Sequence, residues 1–346
     1  NKLPRRQAFA MIPYSLLDLS PIVEGGDAGQ AMRNSLALAQ HAEHLGYRRF
    51  WLAEHHNMPG IASAATAVLI GYVANGTSTI RVGSGGIMLP NHAPLIIAEQ
   101  FGTLETLFPG RIDLGLGRGV PCDAATLQAL RRMPGDMGEF PRDVQELLFF
   151  LRPAAPGQKV RAIPGEGAGV PVWILGSSLG GAQLAASLGL PFAFASHFAP
   201  DQVDVALAAY RARFVPSPHL QKPHVMLSLN VVGADTDEEA RLHFSSAQQA
   251  TDAPLPPPVA DYEKTLDPQR LALIRHGFRH SVVGAPETVA KGLQDFIARY
   301  RPDEVIATAQ IFDHAARMRS LEILSKASGG GAVSPVVPAT ASAAEG

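Results

Sequence analysis

The chain has 346 residues, 46% of them hydrophobic and 17% charged, and a formal net charge of -2. This length allows one large domain or two ordinary ones, and the composition excludes an intrinsically disordered chain. With a nearly neutral charge and no extended Lys/Arg run, nothing predicts binding to nucleic acid or to an anionic membrane. The single cysteine, Cys122, excludes an internal disulfide and a thiolate zinc site and indicates a cytoplasmic protein. No stretch approaches the roughly 18 apolar residues that span a bilayer, so we expect a small-molecule enzyme without a membrane segment.

In chain order, apolar segments typical of strands alternate with helical patterns. Strands are predicted at 11–17, 50–53, 80–89, 112–117, 172–175, 192–195, 225–232 and 305–311. Helices are predicted at 28–45, 63–74, 94–107, 141–151, 181–188, 201–214, 236–249, 286–300 and 314–326. About eight strand–helix units favour an α/β fold of the (β/α)8 TIM barrel type, with a doubly wound sheet as the alternative.

Three segments exceed what the barrel needs, and we expect them as insertions at its C-terminal rim: 120–139, 152–169 and 251–281. The third carries the tract Pro254-Leu255-Pro256-Pro257-Pro258, which cannot continue a helix and predicts an irregular excursion or a lid. We assign residues 1–327 to the barrel domain. The tail 328–346 is rich in small residues, glycine and proline and is predicted to be disordered.

The segment 80–119 organises the rest of the chain. Its first strand contains Gly83, Gly85 and Gly86, which indicate either a ligand lying against bare backbone or a β-bulge. Its second strand ends at Arg118, so a cation stands where a buried strand reaches solvent. Ligands of parallel α/β folds collect at the carboxyl ends of the strands, so the glycines and Arg118 would share that rim.

Glu54-His55-His56 follows the second predicted strand. Neighbouring side chains on an extended backbone point to opposite faces, so the two histidines are a poor chelate, and we predict no metal. One of them at the end of a barrel strand is suited to proton transfer, because the ordinary pKa of histidine is roughly 6.5. A structural histidine bonded to a loop carbonyl is the alternative.

A second group of candidate residues is best interpreted as a phosphate site. Gly176-Ser177-Ser178-Leu179-Gly180-Gly181 follows the fifth strand, and small residues there leave backbone N–H groups and hydroxyls open at a helix N-terminus. Arg118 and Arg142 could converge on the same anion. The alternatives are an ordinary glycine-rich turn and surface ion pairs. The chain contains neither a complete G-x-G-x-x-G motif for a nicotinamide nor a G-x-S-x-G nucleophile elbow.

From about residue 12 to 324 the chain resembles the bacterial luciferase-like, flavin-dependent monooxygenases, most of all their single-chain bacterial members. The resemblance is carried by five segments, which are PYSLLDLSPI, RRFWLAEHHNMPGIASAATAVLIG, TIRVGSGGIMLPNHAPLIIAEQFGTLETLFPGRIDLGLGRG, VPVWILGSSLGGAQLAASLGLPFAFASHF and HSVVGAPETVAKGLQDF. It implies a (β/α)8 barrel that binds FMN at its C-terminal mouth, where reduced flavin reacts with dioxygen and a substrate.

The resemblance also implies roles for individual residues. His55 matches the catalytic histidine, and Arg118 and Arg142 match two arginines that hold the flavin phosphate. Ser177 and Ser178, with Gly176, fall in the phosphate loop, and Ser84, Gly85 and Gly86 would contact the flavin, with a cis peptide between the two glycines. The luciferase subunit carries a reactive cysteine where this chain has Gly117, so light emission is not predicted.

The expected function is therefore oxygenation of a small, largely apolar substrate by a protein that receives reduced FMN from a separate reductase. A deazaflavin-dependent dehydrogenase or reductase and a non-catalytic flavin-binding protein are the alternatives. Apolar helices, 66–74 and 94–107, predict a homo-oligomer.

Overall fold

Eight parallel strands close into a barrel in the computed structural model, which describes residues 12–119, 123–133 and 136–328. The described strands are β1 (Tyr14–Asp18), β2 (Arg49–Leu52), β3 (Arg81–Met88), β4 (Ile112–Gly117), β5 (Val172–Gly176), β6 (Phe192–Phe194), β7 (Val225–Gly233), β8 (Ser281–Gly284) and β9 (Glu304–Thr308). Strands β1 to β7 pair in sequence, β7 pairs with β9, and β9 pairs with β1. The predicted (β/α)8 barrel is confirmed, and the doubly wound sheet is excluded.

Helices follow the strands and form the outer layer. They are α1 (Ala28–His44), α2 (Thr66–Asn75), α3 (Pro94–Leu107), α4 (Ala124–Ala129), α5 (Phe140–Leu151), α6 (Leu179–Leu188), α7 (Val203–Arg213), α8 (Asp237–Gln249), α9 (Pro268–Gly277), α10 (Pro286–Tyr300) and α11 (His314–Ala327). Their starts follow local chemistry. The side chain of Asp27 accepts a hydrogen bond from the Gln30 amide before α1, and proline occupies the first turn of α3 and α10. No helix in the described part of the chain has the length and apolarity needed to cross a membrane.

The barrel interior is filled with side chains. Trp51 and Trp173 meet edge to face, with ring centroids 5.3 Å apart, and pack with Met226 and Ile306 from the opposite strands. Because side chains alternate along a strand, these residues fix which positions face the barrel axis on β2, β5, β7 and β9. The two tryptophans are the only ones in the chain, and both are buried.

Buried charges occupy the interior at the amino ends of the strands. Arg49 bonds Asp113 at 2.7 Å and Glu304 at 2.8 Å, and all three side chains are almost fully buried. Arg81 adds a second bond of 2.7 Å to Asp113. Burial alone would raise the pKa of both carboxyls, but the arginines hold them at about 2. The barrel is therefore closed at this end by ion pairs within the protein.

Three elements were not predicted, and the first of them, α4, lies in the predicted insertion 120–139. The four-residue strand β8 adds to the carboxyl end of β7, where Asn230 to Gly233 pair with Ser281 to Gly284. The segment 251–281, predicted as irregular, contains α9, whose start at Asp267-Pro268 has an N-cap side chain that accepts two amide hydrogen bonds. The interpretation as an irregular excursion is therefore wrong for residues 268–277, because a Pro-rich tract at one end does not prevent a helix farther on. Cys122 and residues 329–346 lie outside the described residues.

The first part of that insertion is tied to the rim by backbone bonds. Leu255 donates to the Ile22 carbonyl at 2.8 Å and accepts from the Glu24 amide at 2.9 Å, and the Gly60 amide donates to the Asp252 carbonyl at 2.9 Å. Gly60 lies so close to the Ala253 carbonyl that a side chain would collide with it. The segment therefore bridges the loops that follow β1 and β2, at the carboxyl end of the barrel.

Candidate active site

Strand β3 is irregular at the predicted glycines. Its pairing with β4 shifts between Ser84 and Ile87, and the Gly85–Gly86 peptide bond is cis, as the family resemblance implied. The Ser84 hydroxyl donates to the Gly115 carbonyl at 2.8 Å and accepts from the Gly115 amide at 2.9 Å. Ser84 is fully buried, so its side chain fixes the bulge to β4, and a flavin contact at Ser84 stays a prediction.

Close packing explains why both positions are glycine. A Cβ atom on Gly85 would lie 2.6 Å from Leu17 Cδ1, and one on Gly86 would lie 2.8 Å from the Gly115 carbonyl oxygen. These neighbours belong to adjacent strands and to the side chains that fill the barrel. The bulge is therefore present, and a flavin contact at Gly85 and Gly86 stays a prediction.

A buried carboxylate joins the loops after β2 and β3. Glu54 Oε1 lies 2.7 Å from His56 Nε2 and 2.9 Å from His92 Nε2, while its Oε2 accepts from the Met88 amide at 2.9 Å. Burial by itself raises the pKa of Glu54, but these hydrogen bonds lower it to about 2. The same contact with Glu54 raises the pKa of His56. Glu54 is thus an anion at neutral pH that fixes both loops.

His55 lies beside this carboxylate but is not bonded to it. Its backbone amide donates to the Ser63 carbonyl at 2.9 Å, which fixes the residue in the loop. Its Nδ1 is buried and has no hydrogen-bond partner among the described residues. Burial lowers the pKa of His55 from the ordinary value, so the ring is neutral near pH 7. His56 is turned to Glu54, so the adjacent histidines do point to different surroundings.

The predicted phosphate residues lie at neighbouring strand ends. Arg118 directly follows β4, and Gly176 ends β5, which pairs with β4. Ser178 is the N-cap of α6 but makes no capping bond with its side chain, and Ser177 and Ser178 are half-buried. Arg118 is exposed at the rim. Backbone donors and a cation are thereby available on adjacent loops.

Arg142 forms its ion pair with a residue outside these loops. It occupies the first turn of α5, its side chain is 74% exposed, and it forms an ion pair of 2.9 Å with Glu139. An exposed pair of this kind contributes little to stability, so Arg142 is free to exchange Glu139 for another anion. Its predicted convergence with Arg118 on one anion stays a prediction.

Sequence reasoning missed the Glu54 contacts and a second histidine, His197, which follows β6. Glu54 was noted only as a neighbour of His55, and its partners lie 34 and 38 positions away at Met88 and His92. A carboxylate directly after the apolar strand FWLA is the signal that could have identified it, because a charge at the end of a buried strand needs a partner. Among the described residues, no group of three or more His, Cys, Asp or Glu side chains could hold a metal.

Comparisons with known proteins agree with the geometry. The family model described as luciferase-like monooxygenase matches residues 13–304. A luciferase-like monooxygenase of Escherichia coli strain K12 is 52% identical over 320 residues, which cover 90% of this chain and 96% of that protein. An N-acetyl-S-alkylcysteine monooxygenase of Bacillus subtilis strain 168 is 33% identical and covers 92% of this chain and 98% of its own length.

The crystal structure of apo-MsnO8 superimposes with a TM-score of 0.82 at 33% identity, covering 92% of this chain and 99% of that one. More distant structures share the fold alone. They include the oxygenating component of 3,6-diketocamphane monooxygenase in complex with FMN, from Pseudomonas putida (17% identity, TM-score 0.68, 91% of this chain and 97% of that one), and an F420-dependent secondary alcohol dehydrogenase (14% identity, TM-score 0.66, 92% and 99%). The barrel, the cis peptide and the histidine at the carboxyl end of β2 agree with this family. The family model matches most of the chain, so this chain belongs to the luciferase-like monooxygenases.

Proposed function

We propose that this oxidoreductase is a flavin-dependent monooxygenase that uses reduced FMN and dioxygen to oxygenate a small, largely apolar organic substrate. The observation that carries the proposal is the pairing of two adjacent strand ends, where Arg118 follows β4 and the uncapped start of α6 follows β5. Backbone donors at a helix N-terminus together with a guanidinium suit a phosphate monoester. FMN ends in such a group, so the arrangement fits this cofactor.

In this proposal the residues divide into an anchor and a support. Arg118, Ser177, Ser178 and the Gly176 backbone would hold the phosphate, and Arg142 would exchange its exposed Glu139 contact for it. Gly85 and Gly86 would support the ring system, with Ser84 fixing their bulge against β4. Bound reduced FMN supplies the electrons that activate dioxygen.

His55 is the proposed catalytic residue. A neutral imidazole with an unpaired Nδ1 can accept a proton from a reacting group and return it in a later step. The Glu54 carboxylate keeps the surrounding loops in place through His56, His92 and the Met88 amide, so His55 does not need to reorganise during the reaction. The segment that holds Leu255 would restrict access of water to the mouth.

Further parts of the proposal concern partners. The absence of a G-x-G-x-x-G motif supports delivery of reduced FMN by a separate reductase. Helices α2 and α3 expose large apolar side chains, among them Val68 at 73% and Leu107 at 63%. Unpartnered apolar surface on two adjacent helices supports a homo-oligomer.

The cofactor can be tested directly. The purified protein is titrated anaerobically with reduced FMN and with reduced deazaflavin F420, and oxygen uptake is then measured with aldehydes, ketones and thioethers. We expect binding of FMN and uptake above the rate without substrate. Retention of F420 without FMN would establish the deazaflavin-dependent alternative, and flavin binding without turnover on any substrate would establish a non-catalytic binding protein.

A further inference from the structure

The half of the mouth opposite the proposed flavin site carries polar groups that the mechanism does not use. In the strand order of the barrel, β7 lies four positions from β3 in either direction, so it faces the Gly85–Gly86 strand across the axis. Met226 packs in the barrel interior, and the two-residue period of a strand turns Ser228 and Asn230 to the same side. Ser228 and Asn230 therefore form the inner wall of β7 towards the mouth.

Two polar atoms on this wall are unpaired. Asn230 Nδ2 and Ser281 Oγ are buried and have no hydrogen-bond partner within the described residues. Asn230 and Ser281 are direct partners in the pairing of β7 with β8. Both residues are half-buried, and both can donate a hydrogen bond. Buried donors without partners cost free energy, so two of them side by side indicate a group that the protein itself does not supply.

A third group on the same wall accepts a hydrogen bond. His197 Nδ1 lies 2.5 Å from Ser228 Oγ, and the Ser228 hydroxyl donates to the Phe194 carbonyl at 3.1 Å. With the hydroxyl proton given to Phe194, Nδ1 is the donor to Ser228 in this arrangement. The Nε2 atom of a neutral ring then has a free lone pair. Burial lowers the pKa of His197 to about 4, which keeps the ring neutral in the physiological range.

The charges of this wall define the ligand further. His197, Ser228, Asn230, Ser281 and the inward-facing Thr308 of β9 are all uncharged at neutral pH. A carboxylate or phosphate would find no cation on this wall, and an ammonium group would find no carboxylate. Asn230 and Ser281 supply hydrogen-bond donors. His197 supplies an acceptor at the level of Ser228, about 7 Å from Asn230 along the strand. This combination matches an uncharged group that both accepts and donates a hydrogen bond.

We propose that this wall, made of His197, Asn230 and Ser281, binds a carboxamide group of the substrate. Asn230 Nδ2 and Ser281 Oγ donate to the carbonyl oxygen, and His197 Nε2 accepts from the amide N–H. The assignment to the substrate depends on the proposed function, since it takes β3 to β5 as the flavin side. In this proposal, His197, Asn230 and Ser281 determine substrate specificity and take no part in the reaction with dioxygen.

Binding can be measured without flavin and without turnover. Trp51 and Trp173 lie beneath the mouth, so their fluorescence reports on ligands that enter it. The wild-type protein is titrated with hexanamide, with N,N-dimethylhexanamide, which lacks the N–H, and with hexanoate, which is charged. We expect hexanamide to bind about 3- to 10-fold more tightly than the dimethyl amide, the ratio that one hydrogen bond gives, and hexanoate more weakly still.

Variants then locate the site. Asn230→Leu, Ser281→Ala and His197→Phe should each weaken hexanamide about 3- to 10-fold, and His197→Phe should abolish its advantage over the dimethyl amide. Ser325→Ala is the matched control, because its hydroxyl donates to Leu45 on the outer layer. Circular dichroism checks that each variant is folded.

Equal affinity of the wild type for the three probes, or unchanged affinity in all three variants, would overturn the proposal. The probe series uses only the wild type, so misfolding of one variant does not prevent a decision. Because no flavin is present, failure here leaves the FMN test unaffected. Failure of the FMN test would leave the amide site in place but remove its assignment to an oxygenation substrate.

Discussion

The two ends of the barrel use polar residues in different ways. At the amino end, Arg49 bonds Asp113 at 2.7 Å and Glu304 at 2.8 Å, and all three residues are almost fully buried. At the carboxyl end, His55 Nδ1, Asn230 Nδ2 and Ser281 Oγ are buried without partners among the described residues. The paired charges of Arg49, Asp113 and Glu304 stabilise the fold, whereas the three unpaired neutral groups would be available to a ligand. The comparison separates residues that should affect stability from residues that should affect binding and turnover.

The largest expected effect on turnover is at His55. His55→Ala removes the proposed proton carrier and should lower the rate of substrate oxygenation about 10²- to 10⁴-fold, while FMN affinity and unfolding free energy stay near the wild-type values. Oxygen uptake, flavin titration and urea unfolding measure the three quantities. His44→Ala, on the exposed face of α1, is the control. A variant with wild-type turnover would make His55 a structural residue.

The amino end should give the opposite result. Asp113→Ala leaves Arg49 buried without one of its carboxylates and Arg81 without its carboxylate partner, so we expect the free energy of unfolding to fall by about 3–5 kcal/mol. Urea unfolding followed by circular dichroism measures the loss. Asp295→Ala, which breaks an exposed pair with Lys291, should change stability by less than about 1 kcal/mol. Similar losses in the two variants would contradict the role of the buried network.

A smaller effect is expected at the flavin anchor. Arg118→Ala should weaken FMN binding by about 1.5–3 kcal/mol, because a charge-assisted hydrogen bond to phosphate is lost. The reduced and oxidised cofactor are titrated by fluorescence, with Arg299→Ala at the carboxyl end of α10 as the control. Riboflavin, which lacks the phosphate, should bind both proteins alike. If FMN affinity is unchanged in Arg118→Ala, this residue does not hold the phosphate.

The buried network also makes the stability of the protein depend on acid. The pKa values of Asp113 and Glu304 are about 2 in the folded protein, below their ordinary values of 3.8 and 4.5. The unfolded chain therefore binds more protons between these limits, so the stability from the network is complete above about pH 5 and declines as the pH falls towards 2. Urea midpoints between pH 6 and 3 measure this decline. Asp113→Ala should show a shallower dependence than the wild type, and an equal slope would assign the acid sensitivity to other groups.

The sequence predicted the barrel because its strands are short apolar runs and its helices have clear start signals. Pro94–Leu107 and Ile112–Gly117 were predicted to the residue. The strand Ser281–Gly284 was missed because four residues that add to the end of β7 leave no periodic pattern of their own. Such a strand is specified by its neighbour and not by its own residues.

The site was predicted less completely, since its contacts join distant positions. Glycines, a strand-end histidine and a strand-end arginine leave local signals, so those residues could be proposed from the sequence, and their roles stay predictions. Arg49 and Glu304 are separated by 255 positions, and Ser228 and His197 by 31, so only the closed barrel brings them together. The sequence indicates that a buried charge needs a partner, but it does not indicate which residue that partner is.

The attachment of the rim segment at Leu255 has a consequence for how such an enzyme diversifies. Its bonds to Ile22, Glu24 and Gly60 join main-chain atoms only, so they place no requirement on the exposed side chains of the segment, provided that Leu255 stays buried and position 60 stays glycine. Substitutions at the exposed positions of this segment would alter the shape and polarity that the mouth presents to a substrate, while the segment itself would stay attached to the rim. The enzyme can thus acquire new preferences by point changes in this stretch, without a new loop length or a new fold.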